Sequence, residues 1–329
     1  MPDSEVIRVM RQFKRDLLAN ERTQMREMAS RWLGVERRLQ GNMAALAADM
    51  HDIAEDGGTV SSEMLMGHYR YRELLRQLTH ELEGYSEYAN RTITDRQFQL
   101  SRLGITHAER AITTQGIQAG FNRLPIEAVR NLVGLAGNGS PLSTLLVQSW
   151  PLAANRLTQE LVNGVALGYN PRKTARLMAQ GMASSLDRMM VISRTESLRA
   201  YKEASRQSYI ASGVVESYKR LATHDSRVCA ACLMAEGTLY ELDEEMPEHP
   251  QGRCTLVPVV DGIKSPIWKA GADWFVEQPQ GTQLSILGKG RYAAWQEGKF
   301  SLDELVTVKP NATWGASLQV TPLRELVSA

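Results

Sequence analysis

Cysteine is scarce in this chain of 329 residues: Cys229, Cys232 and Cys254 are the whole complement. An odd count, two of them in a CxxC, leaves no disulfide framework and points to a reducing compartment. Long apolar runs are also missing. No stretch approaches the roughly 20 apolar residues that a membrane span requires, so no membrane partner is expected. The opening "MPDSEVIRVMRQFKRDL" is charged throughout and lacks the apolar run of a secretory leader. Net charge is lacking as well, with 38 basic residues against 37 acidic. That balance speaks against a general nucleic-acid coat, which carries a basic excess. Internal repeats and low-complexity tracts are absent. Together these absences predict a soluble protein made in a cytoplasm.

At 43% hydrophobic residues, the chain can bury a core large enough for two domains or one extended one. Its neutrality conceals a local pattern. From Pro171 to Arg220 there are ten Lys/Arg against four Asp/Glu, whereas from Asp225 to Pro250 seven acidic residues accompany the lone Arg227. A basic helical segment running into an acidic one suits an interface or an intramolecular docking.

The first hundred residues carry helical periodicity. Val6, Met10, Phe13 and Leu17 recur at spacings of four and three; after a skip near Asn20 and Glu21 the stripe resumes through Met25, Met28, Trp32, Val35, Leu39, Met43, Leu46 and Met50. The spacing near 3.5 is that of a helix lying along another helix. Gly57 and Gly58 predict the stop, and Ser61 or Ser62 the next cap. A second helix with Tyr71, Leu75, Leu78, Leu82 and Tyr85 on one face completes an antiparallel hairpin, read as an elongated arm. The same seam could instead serve self-association.

Residues 105–212 read as shorter helices between punctuation: a start at Pro125, a loop at 137–141, a start at Asn170-Pro171, and a further helix after Ser184 and Ser185 that stops at Gly213. Beyond Gly213 the β-branched stretches "VVESYKRLAT" and "RCTLVPVV" predict strands on either side of the cysteine segment. From Ile263 onward, scattered aromatics among glycines and prolines predict short helices at best, with rings that need partners.

The cysteine segment carries the chemistry. The two-residue spacing of Cys229 and Cys232 lets both sulfurs reach one ion; Cys254 and His249 complete a Cys3His tetrahedron suited to structural Zn2+. A bound metal would supply folding energy to a module of roughly 45 residues that has little apolar content of its own. The competing readings are a redox CxxC, a nucleophilic cysteine beside His249, and three half-buried thiols with no ligand role. The redox reading wants a βαβ setting that is absent here, and the nucleophile leaves two thiols unexplained. His224 beside the CxxC reads as a surface residue, and His51, His68, His80 and His107 carry no assigned role.

"ISRTESLRAYKEASRQSY", "LATHDSRVCAACLMAEGTLY" and "HPQGRCTLVPVV" together resemble the phage minor head protein family typified by the F protein of phage Mu, head morphogenesis proteins associated with the portal. The resemblance covers roughly residues 165–329. It maps Arg194, Thr195 and Glu196 onto the family's helix signature. Asp225, Arg227, Cys229 and Cys232 fall on its CxxC element, and His249, Pro250, Arg253 and Cys254 on its closing element. Gly252 stands where some relatives have a further cysteine. The resemblance implies a structural, non-enzymatic, low-copy minor capsid protein of a tailed phage. It would be recruited during procapsid assembly in the host cytoplasm through the portal protein, with the major capsid protein as a further partner, and located in the capsid interior or near the portal.

The reading of the whole chain is then a mainly α protein: a helical hairpin arm over 1–118, a helical region over 119–212, a small zinc-stapled α+β module over 213–262 and an irregular aromatic-rich C-terminal arm over 263–329. Two functional alternatives stand beside it. One is a metal-dependent nuclease, which needs carboxylates converging on an open metal position; Asp243, Glu244 and Glu245 are consecutive and cannot all face one ion. The other is DNA contact through the basic 171–220 segment, since the acidic stretch between Cys232 and His249 is ill suited to phosphate.

Overall fold

The computed structural model describes residues 3–117, 121–136 and 139–327. The 118/119 boundary and the first two positions of the 137–141 loop lie outside them. Contacts divide the chain into two compact units. One takes Met1–Ala19, Asp95–Gly139 and Thr195–Ala329; the other takes Asn20–Thr94 and Ser140–Arg194. Three long helices, α1 (Glu5–Glu55), α3 (Tyr69–Thr113) and α6 (Pro171–Ser212), each have a stretch in either unit.

In the second unit the expected hairpin forms. α1 continues without interruption past Glu21, and the stripe from Met25 to Met50 is buried. It faces α3 in antiparallel register: Tyr85 Oη donates to Met28 O at 2.9 Å, Trp32 and Tyr85 meet edge-to-face at 4.9 Å, and Arg38 Nε donates to Glu81 at 2.6 Å. The seam on α3 runs through Tyr71, Leu74, Leu78, Leu82 and Tyr85; Leu74 is buried where Leu75 is only partly so. α1 ends at Gly57 with φ +84°, and Ser61 caps the short α2 (Ser62–Gly67) by accepting from Met64 N. α4 (Leu142–Val147) and α5 (Trp150–Ala166) complete this unit with the first part of α6.

One boundary differs from the sequence expectation. Ser184 and Ser185 do not start a helix; α6 runs through them from Pro171, with Asn170 Oδ1 accepting from Lys173 N as the cap. Both hydroxyls find acceptors without breaking the helix: Ser184 Oγ donates to Gly181 O at 2.8 Å, and Ser185 Oγ reaches Ser149 O on the neighbouring segment at 2.6 Å.

The first unit is mixed. β1 (Val215–Leu221) is the centre of a three-stranded antiparallel sheet in the order β2–β1–β3, with β2 at Leu239–Glu241 and β3 at Thr255–Val260. Every residue of β3 is buried. One side of the sheet is covered by the first turns of α1, where Val6, Ile7, Met10 and Phe13 meet Leu221 and Val257. The stretches of α3 and α6 in this unit pack so closely that a Cβ on Gly104 would sit 2.5 Å from Tyr201 O.

The chain beyond Ile263 is more ordered than its composition suggests. It forms α8 (Gly271–Val276), α9 (Gln280–Gln296, bent at Gly288), a hairpin of β4 (Val306–Asn311) and β5 (Gly315–Val320), and α10 (Leu323–Leu326). The aromatics find their partners within the unit. Phe275 stacks obliquely on Trp295 at 5.4 Å, and Phe275, Phe300, Leu305 and Leu318 share one core with Cys232, Leu233 and Cys254.

Candidate metal centre

Cys229 is the N-cap of α7 (Ala230–Met234), a five-residue helix between β1 and β2. Cys229 O accepts from Leu233 N at 3.0 Å, closing a single turn that brings Cys232 to the same side as Cys229. The stretch leading into β3 supplies the opposite wall. There the Sγ atoms of Cys229 and Cys232 and a ring nitrogen of His249 lie within 4.8 Å of one another. Cys254 does not fall within that radius of all three, but its sulfur accepts from the Cys232 thiol. All three cysteines are free thiols, and Cys232 and Cys254 are buried. Among the described residues this is the set of metal-ligating side chains that converges.

Two sets of contacts hold these walls together. Asp225 Oδ1 accepts from Arg227 N at 3.0 Å, turning the chain just before Cys229. Arg253 then grips Asp225 with both nitrogens, at 2.7 and 2.9 Å, and donates to Arg227 O at 2.8 Å. This two-pronged pair fastens the CxxC approach to the residue preceding Cys254. Arg227 contributes its backbone; its side chain is exposed. Thr195 on α6 accepts from Gln251 N at 3.0 Å, so the helix signature reaches the closing element through its threonine. Glu196 is fully buried and takes Arg199 Nε at 2.9 Å and Trp314 Nε1 at 3.1 Å, while Arg194 pairs with Glu21 in the second unit.

His249 Nδ1 lies 2.8 Å from Pro250 O; as the donor there, it leaves Nε2 as the nitrogen available for a metal. Gly252 is closely approached: a Cβ there would overlap the Glu248 carboxylate, which must shift to admit a side chain. That carboxylate accepts from Lys202 Nζ at 2.7 Å, and the same ammonium donates to Gly252 O at 3.0 Å.

The electrostatics favour thiolate. The hydrogen bond from Cys232, opposed by burial and helped by His249, holds Cys229 at about 4. Cys232 is pushed well above its ordinary value by its thiol neighbours Cys229 and Cys254 and by burial. Burial disfavours the charged imidazole of His249, yet Cys229 outweighs it and raises the ring to about 9. Two thiols and one imidazole, with a thiolate already favoured among them, could hold a metal ion.

Several neighbours of the site carry no signal in the sequence. Arg220, Glu248, Lys202 and Trp314 are isolated polar or aromatic residues within otherwise ordinary segments, and only the fold brings them here. His224 is a correction: it is not a surface residue. Its Nε2 lies 2.6 Å from Glu236 Oε2, and its ring stacks on Trp274 at 4.8 Å. Asp243, Glu244 and Glu245 do not converge on a common point with other ligands; Glu244 folds back to accept from Glu241 N at 3.0 Å.

No helix among the described residues is long and apolar enough to cross a membrane. Neither a curated protein nor a solved structure matches the chain. The family model described as Phage Mu protein F like protein matches residues 155–257. That span contains α6, β1, β2 and all four candidate ligands, and ends inside β3, before the C-terminal helices and hairpin. Over residues 155–257 the chain is therefore similar to the Phage Mu protein F like family, the family that its motifs resemble.

Proposed function

We propose that this is a structural protein of phage head assembly whose 213–262 module is stapled by Zn2+ on Cys229, Cys232, His249 and Cys254 and docks at the portal. The observation that supports it is the convergence of the Cys229 and Cys232 thiols and the His249 imidazole within the family-matched segment. The metal's part is to tie the five-residue helix to the segment leading into β3, within the core that both share with the C-terminal helices. A closed set of four protein ligands leaves no position for substrate, which is the signature of a structural rather than a catalytic centre.

DNA contact is the secondary surface of the proposal. Much of the basic excess of 171–220 is already engaged: Arg194, Arg199, Lys202 and Arg206 all pair with carboxylates. Arg172 and Arg176, at the start of α6, are exposed and would meet phosphate. Native mass spectrometry of the chain co-expressed with its portal protein tests the main reading. A zinc-sized increment on a portal-bound species supports it. A metal-free chain that ignores the portal defeats both the zinc and the docking assignments.

A further inference from the structure

We propose that Lys14 and Arg220 are the counter-cations of a net-negative metal centre, and that Lys14 in this way fastens the first turns of α1 to it. The inference rests on the zinc reading above and extends it, through Lys14, to a residue outside the family-matched segment. Three thiolates and a neutral imidazole around a divalent cation carry one net negative charge. A buried charge of that kind needs opposite charge close by, because the interior offers little solvation.

Lys14 is only 5% exposed. Its Nζ donates to Leu221 O at 3.0 Å, and no described carboxylate lies within ion-pair distance of it. Leu221 is the β1 partner of Thr255, the residue that follows Cys254, so the ammonium sits beside the strand pair that carries that thiol. The attraction between Lys14 and Cys254 is the strongest opposing the burial that draws this lysine down to about 8. A buried ammonium with a single carbonyl partner is a poor structural choice unless an anion stands near it.

Arg220 repeats the pattern from β1. Its side chain is fully buried; Nε donates to Tyr240 Oη at 3.3 Å, Nη2 donates to Pro247 O, and Nη1 lies 3.6 Å from Glu248. Glu248 is already shared with Lys202, and both Cys254 and Cys232 attract the guanidinium. Glu236, the other carboxylate facing Lys14, is occupied by Ala222 N and His224. The two cations thus approach the thiols from two elements, and the carboxylates near them have other partners.

Outer partners of this kind typically change metal affinity 10–100-fold. Zinc affinity of the full chain would be measured by competition with a chromophoric chelator, and the zinc-dependent amide-exchange protection of residues 5–19 by mass spectrometry. Lys14→Met should bind zinc 10–100-fold more weakly and lose that protection. Lys14→Arg should recover most of the affinity. Met10→Ala, which weakens packing on the same helix without touching charge, should leave affinity within about threefold. Should Lys14→Met fail to fold, Lys14→Gln, which keeps a donor but no charge, is read in its place. A zinc-loaded wild type with Lys14→Met unchanged, or with Met10→Ala equally weakened, overturns this inference alone. A wild type that takes up no zinc overturns the zinc reading, and the inference with it.

Discussion

Replacing Cys232 by serine should release more than the segment around the metal. Cys232 is 2% exposed and belongs to one core that also holds Leu233, Cys254, Leu256, Phe275, Leu287, Phe300, Leu305 and Leu318. The 213–262 module and the chain beyond it therefore share a single apolar interior and should open together. The magnitude follows from linkage. At free zinc a thousandfold above the dissociation constant, a bound metal adds about 4 kcal/mol to the unit that holds it. Abolishing binding removes that amount, which is about a thousandfold in the opening equilibrium of the slowest amides. Amide exchange in zinc buffer should show this loss across β1, β3, α8 and the β4–β5 hairpin. Tyr71, Leu78 and their partners on α1 lie in the other unit, and their amides should exchange as before. Unchanged protection in β3, together with unchanged metal content, would refute the reasoning. Loss confined to 229–254 would show that the C-terminal helices hold independently.

His107 is buried, stacked on Phe13 at 3.6 Å and bonded to Tyr201 Oη at 2.9 Å; burial, with Arg110 adding, lowers it to about 4. The unfolded chain takes up this proton below about pH 6.5 and the folded chain only near 4, so stability should fall through that window by at most about 3 kcal/mol. Urea unfolding at stepped pH checks this, with His107→Gln giving a flatter acid limb. Gly252→Ala should drive Glu248 from its place and cost about 1–3 kcal/mol, with zinc affinity falling alongside, as thermal unfolding and chelator competition would record. Arg172→Ala with Arg176→Ala should reduce the salt slope of any DNA binding by up to about two; an unchanged slope removes this surface from the proposal.

Much of the helical framework was legible because burial repeats along a helix with a fixed period. The stripe from Val6 to Met50 matches the buried face of α1, and Gly57, Ser61, Asn170 and Gly213 mark ends that the backbone itself requires. The strands around the cysteines were equally visible, since β-branched runs such as "TLVPVV" suit a fully buried strand. Leu74 over Leu75 is a rotation of one residue that period alone does not resolve. Ser184 and Ser185 misled because a serine caps a helix or bonds within one according to which acceptor lies in reach. Ser149 O, thirty-six positions away, decided the matter for Ser185.

The sequence by itself determined the helix faces, their ends and the local spacing of Cys229 and Cys232, because each depends on residues within a turn or two. Only the tertiary structure decided what meets the thiols. Arg253 closes on Asp225 across twenty-eight residues, Thr195 reaches Gln251 across fifty-six, and Lys14 arrives at the end of β1 from 207 positions away. Such contacts depend on burial and charge from every packed element at once, and a buried lysine or arginine looks no different in the sequence from one at the surface.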